Sequence, residues 1–263
     1  MTTMLEFPAL LQLIDERSAA FRAAVAAAPG LDSQVPTCPE WTLSDLVEHL
    51  GGVHRFWAAV VAAGPADVPP AAPEPAPAVP RGLGALLAWS AESTGLLLGA
   101  LREAGPDRAC WTWWGASASP QDSGAVARHQ VQEALVHTYD AQTTAGQPEP
   151  LPAAAALDGV DEFLATCCTT TSAWPYEPAT VDYRTTEGRS WRLVLSADGA
   201  RAERLPASGT AGAGGDADVP TVAALGTAGE LVLVLYGRLP VDSLKVDGDS
   251  RVLDLLQAWE PED

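Results

Sequence analysis

The stretch Val126-Ala127-Arg128-His129-Gln130-Val131-Gln132-Glu133-Ala134-Leu135-Val136-His137-Thr138-Tyr139-Asp140 decides how this chain is read. Its apolar residues recur with helical period, which predicts a helix over Ser123–Thr143. Glu133 and His137 stand four positions apart, so a carboxylate and an imidazole share one helical face, about 5–6 Å apart at Cβ, and both can reach one ion. An acid and imidazole at this spacing is also a common surface pair. Val126, Leu135 and Val136 lie in the same stripe, and a carboxylate buried there without a partner would be costly, which shifts the balance towards a ligand pair.

A second candidate ligand, His49, lies in an earlier amphipathic segment, Leu43 to Ala63. Thr42-Leu43-Ser44-Asp45 has the form of an N-cap with an acid at the third helical position and would start that helix. If both segments are helices, His49, Glu133 and His137 make a three-ligand site, and two imidazoles with one carboxylate suit a reactive zinc better than a structural one. The other two histidines separate by spacing. His54 is five residues from His49, about 140° round the helix, and cannot face the same ion; an exposed or capping position is expected for it. His129 is four residues before Glu133, shares its face and remains a substitute ligand.

Further helices are expected over Leu5–Ala28, Leu83–Leu101 and Ala153–Thr166, which together suggest a helical bundle. Between the second and third runs Gly64 to Pro80, where Pro and Ala dominate, reads as an extended surface connection. The pattern changes near residue 175. Strands are expected over Thr180–Thr185, Ser190–Leu195 and Ala200–Pro206, with Glu187-Gly188 and Asp198-Gly199 as turns, forming an antiparallel meander. Ser208 to Gly215 reads as a Gly/Ala-rich loop. Val219–Leu225 and Leu244–Asp247 read as strands, Thr227–Tyr236 as a helix, and Asp249–Trp259 as a final helix starting at an Asp cap. The organisation is therefore an α-helical metal-binding bundle over 1–174 followed by a small α+β domain over 175–263.

The composition narrows the partners. A chain of 263 residues that is 47% hydrophobic can bury a sizeable core. With 34 acidic against 15 basic residues and a net charge of −19, it repels phosphate backbones and anionic lipids, so a small molecule is the expected partner rather than nucleic acid or a membrane. The opening segment, with Glu6, Asp15 and Glu16, does not read as a signal peptide, and no uninterrupted apolar run reaches the roughly 18 residues of a spanning helix, so a cytoplasmic location is expected. Cys38, Cys110, Cys167 and Cys168 lack CxxC spacing and read as structural thiols. The tryptophans of Trp111-Thr112-Trp113-Trp114 are expected to be core rather than pocket residues.

Cys38-Pro39-Glu40-Trp41-Thr42-Leu43-Ser44-Asp45-Leu46-Val47-Glu48-His49-Leu50-Gly51, followed by Val53-His54-Arg55, resembles the N-terminal signature of the mycothiol-dependent maleylpyruvate isomerase family, a branch of the DinB-like four-helix bundles. Glu133-Ala134-Leu135-Val136-His137-Thr138-Tyr139-Asp140-Ala141 resembles its second signature. Leu235-Tyr236-Gly237-Arg238-Leu239-Pro240-Val241-Asp242-Ser243-Leu244 is similar to the sterol-carrier-like α+β domain that these proteins append. The resemblance implies that His49, Glu133 and His137 bind zinc, and that the cofactor thiol is mycothiol. That thiol either adds reversibly to a conjugated alkene, giving an isomerase, or attacks in an S-transfer. Arg238 matches the arginine of the C-terminal motif and is implied as a catalytic and cofactor-binding residue, its guanidinium being suited to a carboxylate of substrate or cofactor; a surface salt bridge to one of the 34 acids is the alternative. Asp140 is a candidate hydrogen-bond acceptor for a ligand imidazole. The chain departs from the usual pattern at Gln132, Thr138 and Tyr139; the ligands are intact, and the departure bears on the substrate. It also favours the alternative of a metal-binding protein of the same fold without catalysis, while a bundle without metal is the plainest alternative.

Overall fold

The computed structural model describes residues 5–71, 78–206 and 221–259. The Gly/Ala-rich stretch Ser208–Gly215 and the middle of the Pro/Ala-rich connection lie outside them. Backbone contacts divide the chain into two units, Met1–Trp113 with Pro120–Leu151, and Trp114–Ser119 with Pro152–Asp263.

The first unit is a four-helix bundle: α1 (Phe7–Ala27), α2 (Leu43–Ala63), α3 (Leu83–Ala104) and α4 (Ser123–Thr144). Two of these helices begin at a side-chain cap. Thr42 caps α2 through a capping box, its side chain accepting from the Asp45 N–H while Asp45 accepts from the Thr42 N–H at 2.8 Å. Asp122 caps α4 by accepting from the Ala125 N–H at 2.8 Å. α2 packs on α3 and α1 on α4, with Phe21, Leu43, Leu46, Leu50, Leu86 and Ala141 in one buried cluster. At the α2–α3 contact the Trp89 ring lies where a Cβ on Gly51 would sit, so only glycine permits this approach. By length and composition α3 alone among the described helices would suit a membrane span, yet in the bundle it packs against α2 and α1. A short hairpin, β1 (Gln34–Val35) and β2 (Cys38–Thr42), leads into α2; the periodicity gives no sign of it because β1 has only two residues and β2 carries Pro39 and Glu40 where a strand pattern would alternate.

The second unit begins with α5 (Ala153–Phe163), which runs into a π-helical turn over Leu164–Cys168. Then come β3 (Ala179–Thr185), β4 (Ser190–Ser196), β5 (Gly199–Arg204), β6 (Val222–Gly226), α6 (Ala228–Leu235), β7 (Lys245–Gly248) and α7 (Arg251–Ala258). The sheet order is β5-β4-β3-β6-β7. The expected meander is present as β3-β4-β5, but β6 pairs in parallel with β3, Val181 opposite Val222, a long-range pairing that no local pattern encodes. At the β4–β5 turn Gly199 has φ +108, and a Cβ there would meet the Thr170 carbonyl. The final helix begins after Ser250 rather than at an Asp249 cap, although Asp249 still accepts from the Arg251 N–H at 3.2 Å.

The division falls at Pro152 rather than near 175. The helix α5 packs on α6, and its Asp161 accepts from the Trp191 indole at 2.9 Å and from Arg204, so side chains of β4 and β5 tie it to the sheet. A single helical period cannot say which neighbour a helix packs against, and α5 continues the helical run of the bundle in sequence only.

Candidate metal centre

Two helices and the hairpin build the centre. His49 comes from the second turn of α2, and Glu133 and His137 from the middle of α4. Glu133 Oε2 lies 3.7 Å from His49 Nε2 and 3.5 Å from His137 Nε2. One ligand atom from each of the three lies within 4.8 Å of the others. The one-turn spacing on α4 thus does what helical geometry requires, and the fold brings His49 to it. His129 approaches the other carboxylate oxygen, its Nε2 3.8 Å from Glu133 Oε1, and packs edge-on against Trp57 and Trp113. It neighbours the trio from the far side of the carboxylate.

A buried support stands behind His137. Its Nδ1 is 2.9 Å from Asp140 Oδ2, and Asp140 is fully buried. Asp140 also accepts from the Thr37 hydroxyl at 2.6 Å and from the Cys38 thiol at 3.9 Å. A carboxylate on Nδ1 fixes the ring so that Nε2 faces Glu133, the nitrogen that would be free to coordinate once a metal displaced its proton. From the same hairpin, Trp41 packs its ring 4.7 Å from that of His49 and 6.2 Å from that of His137. The sequence pattern does not single out Thr37 and Trp41, and Cys38 beside them reads as a structural thiol. The signal available was position: a segment ending at the cap of the helix that carries His49 must pass within a few residues of it.

The electrostatics are those of a cation site. Burial would push the Glu133 carboxyl up, but the imidazoles of His137, His49 and His129 around it outweigh this and hold it well below the usual range. Burial would likewise lower His137, yet Asp140 and Glu133 together raise it to about 9. One buried carboxylate, Asp140, and one half-buried one, Glu133, therefore converge on one imidazole and favour positive charge between them. The spacing fits a metal as well: at roughly 2.0–2.2 Å from a tetrahedral zinc, neighbouring ligand atoms are about 3.3–3.6 Å apart, close to the separations from Glu133. The side chain of His49 is 35% exposed against 7% for His137, so the trio opens to small molecules on the His49 side.

His54 is not exposed as expected. It is 1% exposed in the bundle core, with Nδ1 3.3 Å from the Thr94 hydroxyl. The five-residue offset that turns it away from His49 points it at α3 instead, and burial lowers it to about 4. Of the tryptophans, Trp114 is buried, Trp111 stacks on Trp57, and Trp113 is 47% exposed beside His129, so the last lies at the edge of the centre and not in the core.

Arg238 belongs to the second unit. Helix α6 ends in a Schellman motif, with the Arg238 N–H on Leu233 O at 2.6 Å and the Gly237 N–H on Val234 O at 2.9 Å, and Gly237 takes φ +69. Arg238 Nη1 then donates to Tyr236 O at 2.7 Å. The Tyr-Gly-Arg sequence is thus a helix stop that fixes the root of the arginine.

Comparison with known proteins agrees with this architecture. The family model for the mycothiol maleylpyruvate isomerase N-terminal domain matches residues 11–142, and that for the C-terminal domain of the same family matches 154–255. The chain belongs to the mycothiol-dependent maleylpyruvate isomerase family. Its fold is shared with the crystal structure of the mycothiol-dependent maleylpyruvate isomerase (TM-score 0.59, 15% identity, 94% of this chain and 96% of that one). A histidine-to-alanine mutant of that enzyme matches over the same shares at a TM-score of 0.62 and 15% identity. No curated protein matches the sequence. The family boundary between 142 and 154 coincides with the break in contacts at Pro152.

Proposed function

We propose that this chain is a zinc-dependent enzyme that uses a low-molecular-weight thiol, mycothiol by family, to isomerise or S-transfer on a small electrophilic substrate. The observation that carries the reading is the His49, Glu133 and His137 trio with Asp140 fixing the tautomer of His137. His49 Nε2, His137 Nε2 and a Glu133 oxygen would hold the ion. Bound there, zinc would supply a Lewis acid that lowers the pKa of a coordinated thiol.

The chain's own residues do the rest. Asp140 keeps the Nδ1 proton of His137 in place, with Thr37 and Cys38 donating to the same carboxylate and preventing its rotation. Trp41 shields one side of the imidazoles, while the exposed edge of His49 admits a thiol. Arg238, through its planar fork, would orient a carboxylate of substrate or thiol. One of the three departures from the family pattern is a packing feature: Thr138 donates to Ala134 O at 2.6 Å and to Arg17 O at 2.9 Å. The metal-binding protein without catalysis is the second reading, carried by Gln132 and Tyr139, and turnover of an activated electrophile separates the two.

Thiol binding tests the reading. Titrated with mycothiol, zinc-loaded protein is expected to bind with release of a proton, and chelator-treated protein to bind at least about tenfold more weakly. Equal affinity with and without zinc overturns the proposal. In turnover of an activated electrophile, Arg238→Lys keeps the charge but loses the fork and is expected to reduce the rate without changing zinc content.

A further inference from the structure

Among the described residues only six large hydrophobic side chains are exposed, and two of them stand beside the metal centre in the first unit. Phe56 is 37% and Trp113 47% exposed, and a run of rings joins them. Phe56 meets Trp57 and Trp111 edge-on at 5.3 and 6.0 Å, Trp111 stacks on Trp57 at 6.2 Å, and His129 lies 6.4 Å from Trp57 and 5.7 Å from Trp113. A packed core would bury both ends of such a run; here each end keeps more than a third of its surface accessible.

This wall is continuous with the metal centre. Seven residues separate His49 from Phe56, so both lie on one face of α2, about 10 Å apart along its axis. On the facing helix His137 meets His49 at 4.9 Å between ring centres, and His129, two turns before it, meets Trp57. Glu133 joins the two ends: its Oε2 faces His49 and His137, and its Oε1 is 3.8 Å from His129 Nε2. Gly52, one turn after His49, is exposed, and a Cβ there would meet nothing within 4 Å, so the described residues leave this edge open.

The chemistry of the rings selects the guest. Indole faces are electron-rich, and a ring conjugated to a carbonyl-activated alkene is electron-poor, so offset or edge-on contact favours it beyond simple burial. A saturated ring of the same size gains burial alone. A cation could also use the indole faces, but a zinc ion bound next to it would repel it.

We infer that the aromatic wall from Phe56 to Trp113 is a substrate subsite beside the metal centre, selecting electrophiles whose reacting alkene carries an aromatic ring. This names a substrate class for the reaction proposed above and rests on that reading for its chemistry; recognition of the ring belongs to the wall alone.

4-Phenylbutan-2-one and 4-cyclohexylbutan-2-one are saturated and do not react with thiols, so ligand-observed NMR titration of each into the full-length protein reads the wall without turnover. The cyclohexyl ketone is the more hydrophobic and burial alone favours it; the phenyl ketone is expected to bind at least about threefold more tightly. Trp113→Leu and Phe56→Leu are each expected to reduce that ratio, and the double variant to bring it to about one or below, with circular dichroism confirming folded protein. If the double variant does not fold, the two single variants decide. Turnover is read separately with mycothiol and the matching enones, 4-phenylbut-3-en-2-one and 4-cyclohexylbut-3-en-2-one: the thiol sulfur bonds the alkene carbon β to the carbonyl, and the thiol proton ends on the α-carbon. Corrected for the uncatalysed rate, kcat/KM is expected to favour the phenyl enone by at least about threefold, chiefly through KM. Phenyl-selective binding without turnover of either enone overturns the thiol and zinc reading and leaves the subsite standing. Equal binding of the two ketones overturns the subsite, as does the parental ratio in the folded double variant or in both single variants.

Discussion

The two units bury charge in different ways. In the bundle the fully buried Asp140 meets an imidazole, Oδ2 pairing with His137 Nδ1 while Oδ1 accepts from the Thr37 hydroxyl. The C-terminal unit buries carboxylates against guanidinium groups, Asp182 on Arg192 and Asp161 on Arg204, and also surrounds a pocket with apolar side chains such as Val234, Leu253 and Leu256. In the first, ordering comes from a hydrogen-bond network and demands specific residues; around the pocket, it comes from shape, and many hydrophobic substitutions would preserve it. Substitution should therefore be steep in the bundle site and graded around the cavity.

The largest effects are expected at the trio. Purified without chelator, the parent should carry about one zinc per chain, and His49→Ala, Glu133→Ala or His137→Ala should each lose most of it, measured by elemental analysis. Asp140→Asn keeps the shape of the carboxylate but not its charge, and should weaken zinc by about 10–100-fold. His54→Ala and His129→Ala should retain zinc. Loss in His129→Ala with full zinc in His49→Ala would reassign the ligands.

The same contrast explains what could be read from the sequence. Glu133 and His137 were legible because one helical turn relates them, and Thr42 with Asp45 because the capping box is local. His49 joined them only through a resemblance and an assumed pair of helices. What escaped notice is non-local: the buried environment of His54, the parallel pairing of β3 with β6, the allegiance of α5, and a cavity assembled from α5, β3, α6 and α7. Each depends on which surfaces meet, and hydrophobic period reports only that a face is apolar.

The allegiance of α5 gives the next effect. Asp161→Ala removes the acceptor of the Trp191 indole and the partner of Arg204, and should destabilise the C-terminal unit by about 2 kcal/mol in urea while zinc content stays unchanged. Cutting the chain after Leu151 should leave a zinc-binding bundle. Cutting near 175 should leave α5 with Ala155, Ala156 and Val160 uncovered, and such a fragment should aggregate more than the shorter one. A better-behaved longer fragment would return α5 to the bundle.

His54 sharpens the comparison through pH. Its folded-state pKa is about 4 against 6.5 for an unperturbed imidazole, so between these values the unfolded chain binds a proton that the folded one refuses. Stability from this group is present above 6.5 and is lost as pH falls towards 4, at up to about 1.4 kcal/mol per pH unit within the window. Urea melts of His54→Asn against the parent should show a shallower acid limb in the variant, by up to that slope. Parallel limbs would place His54 in contact with water.

The smallest effect concerns a single dihedral. Gly237 has φ +69 with no atom within 4 Å of a built Cβ, so Gly237→Ala meets no clash and costs only the left-handed conformation, about 1 kcal/mol. That cost falls on the Schellman cap, and through it on Arg238, whose N–H and Nη1 are both fixed by the turn. Denaturation of the C-terminal unit should therefore shift by about 1 kcal/mol, while zinc content and the bundle's own transition are unaltered. An unshifted transition would show that residue 237 takes the left-handed turn at no cost to the helix stop.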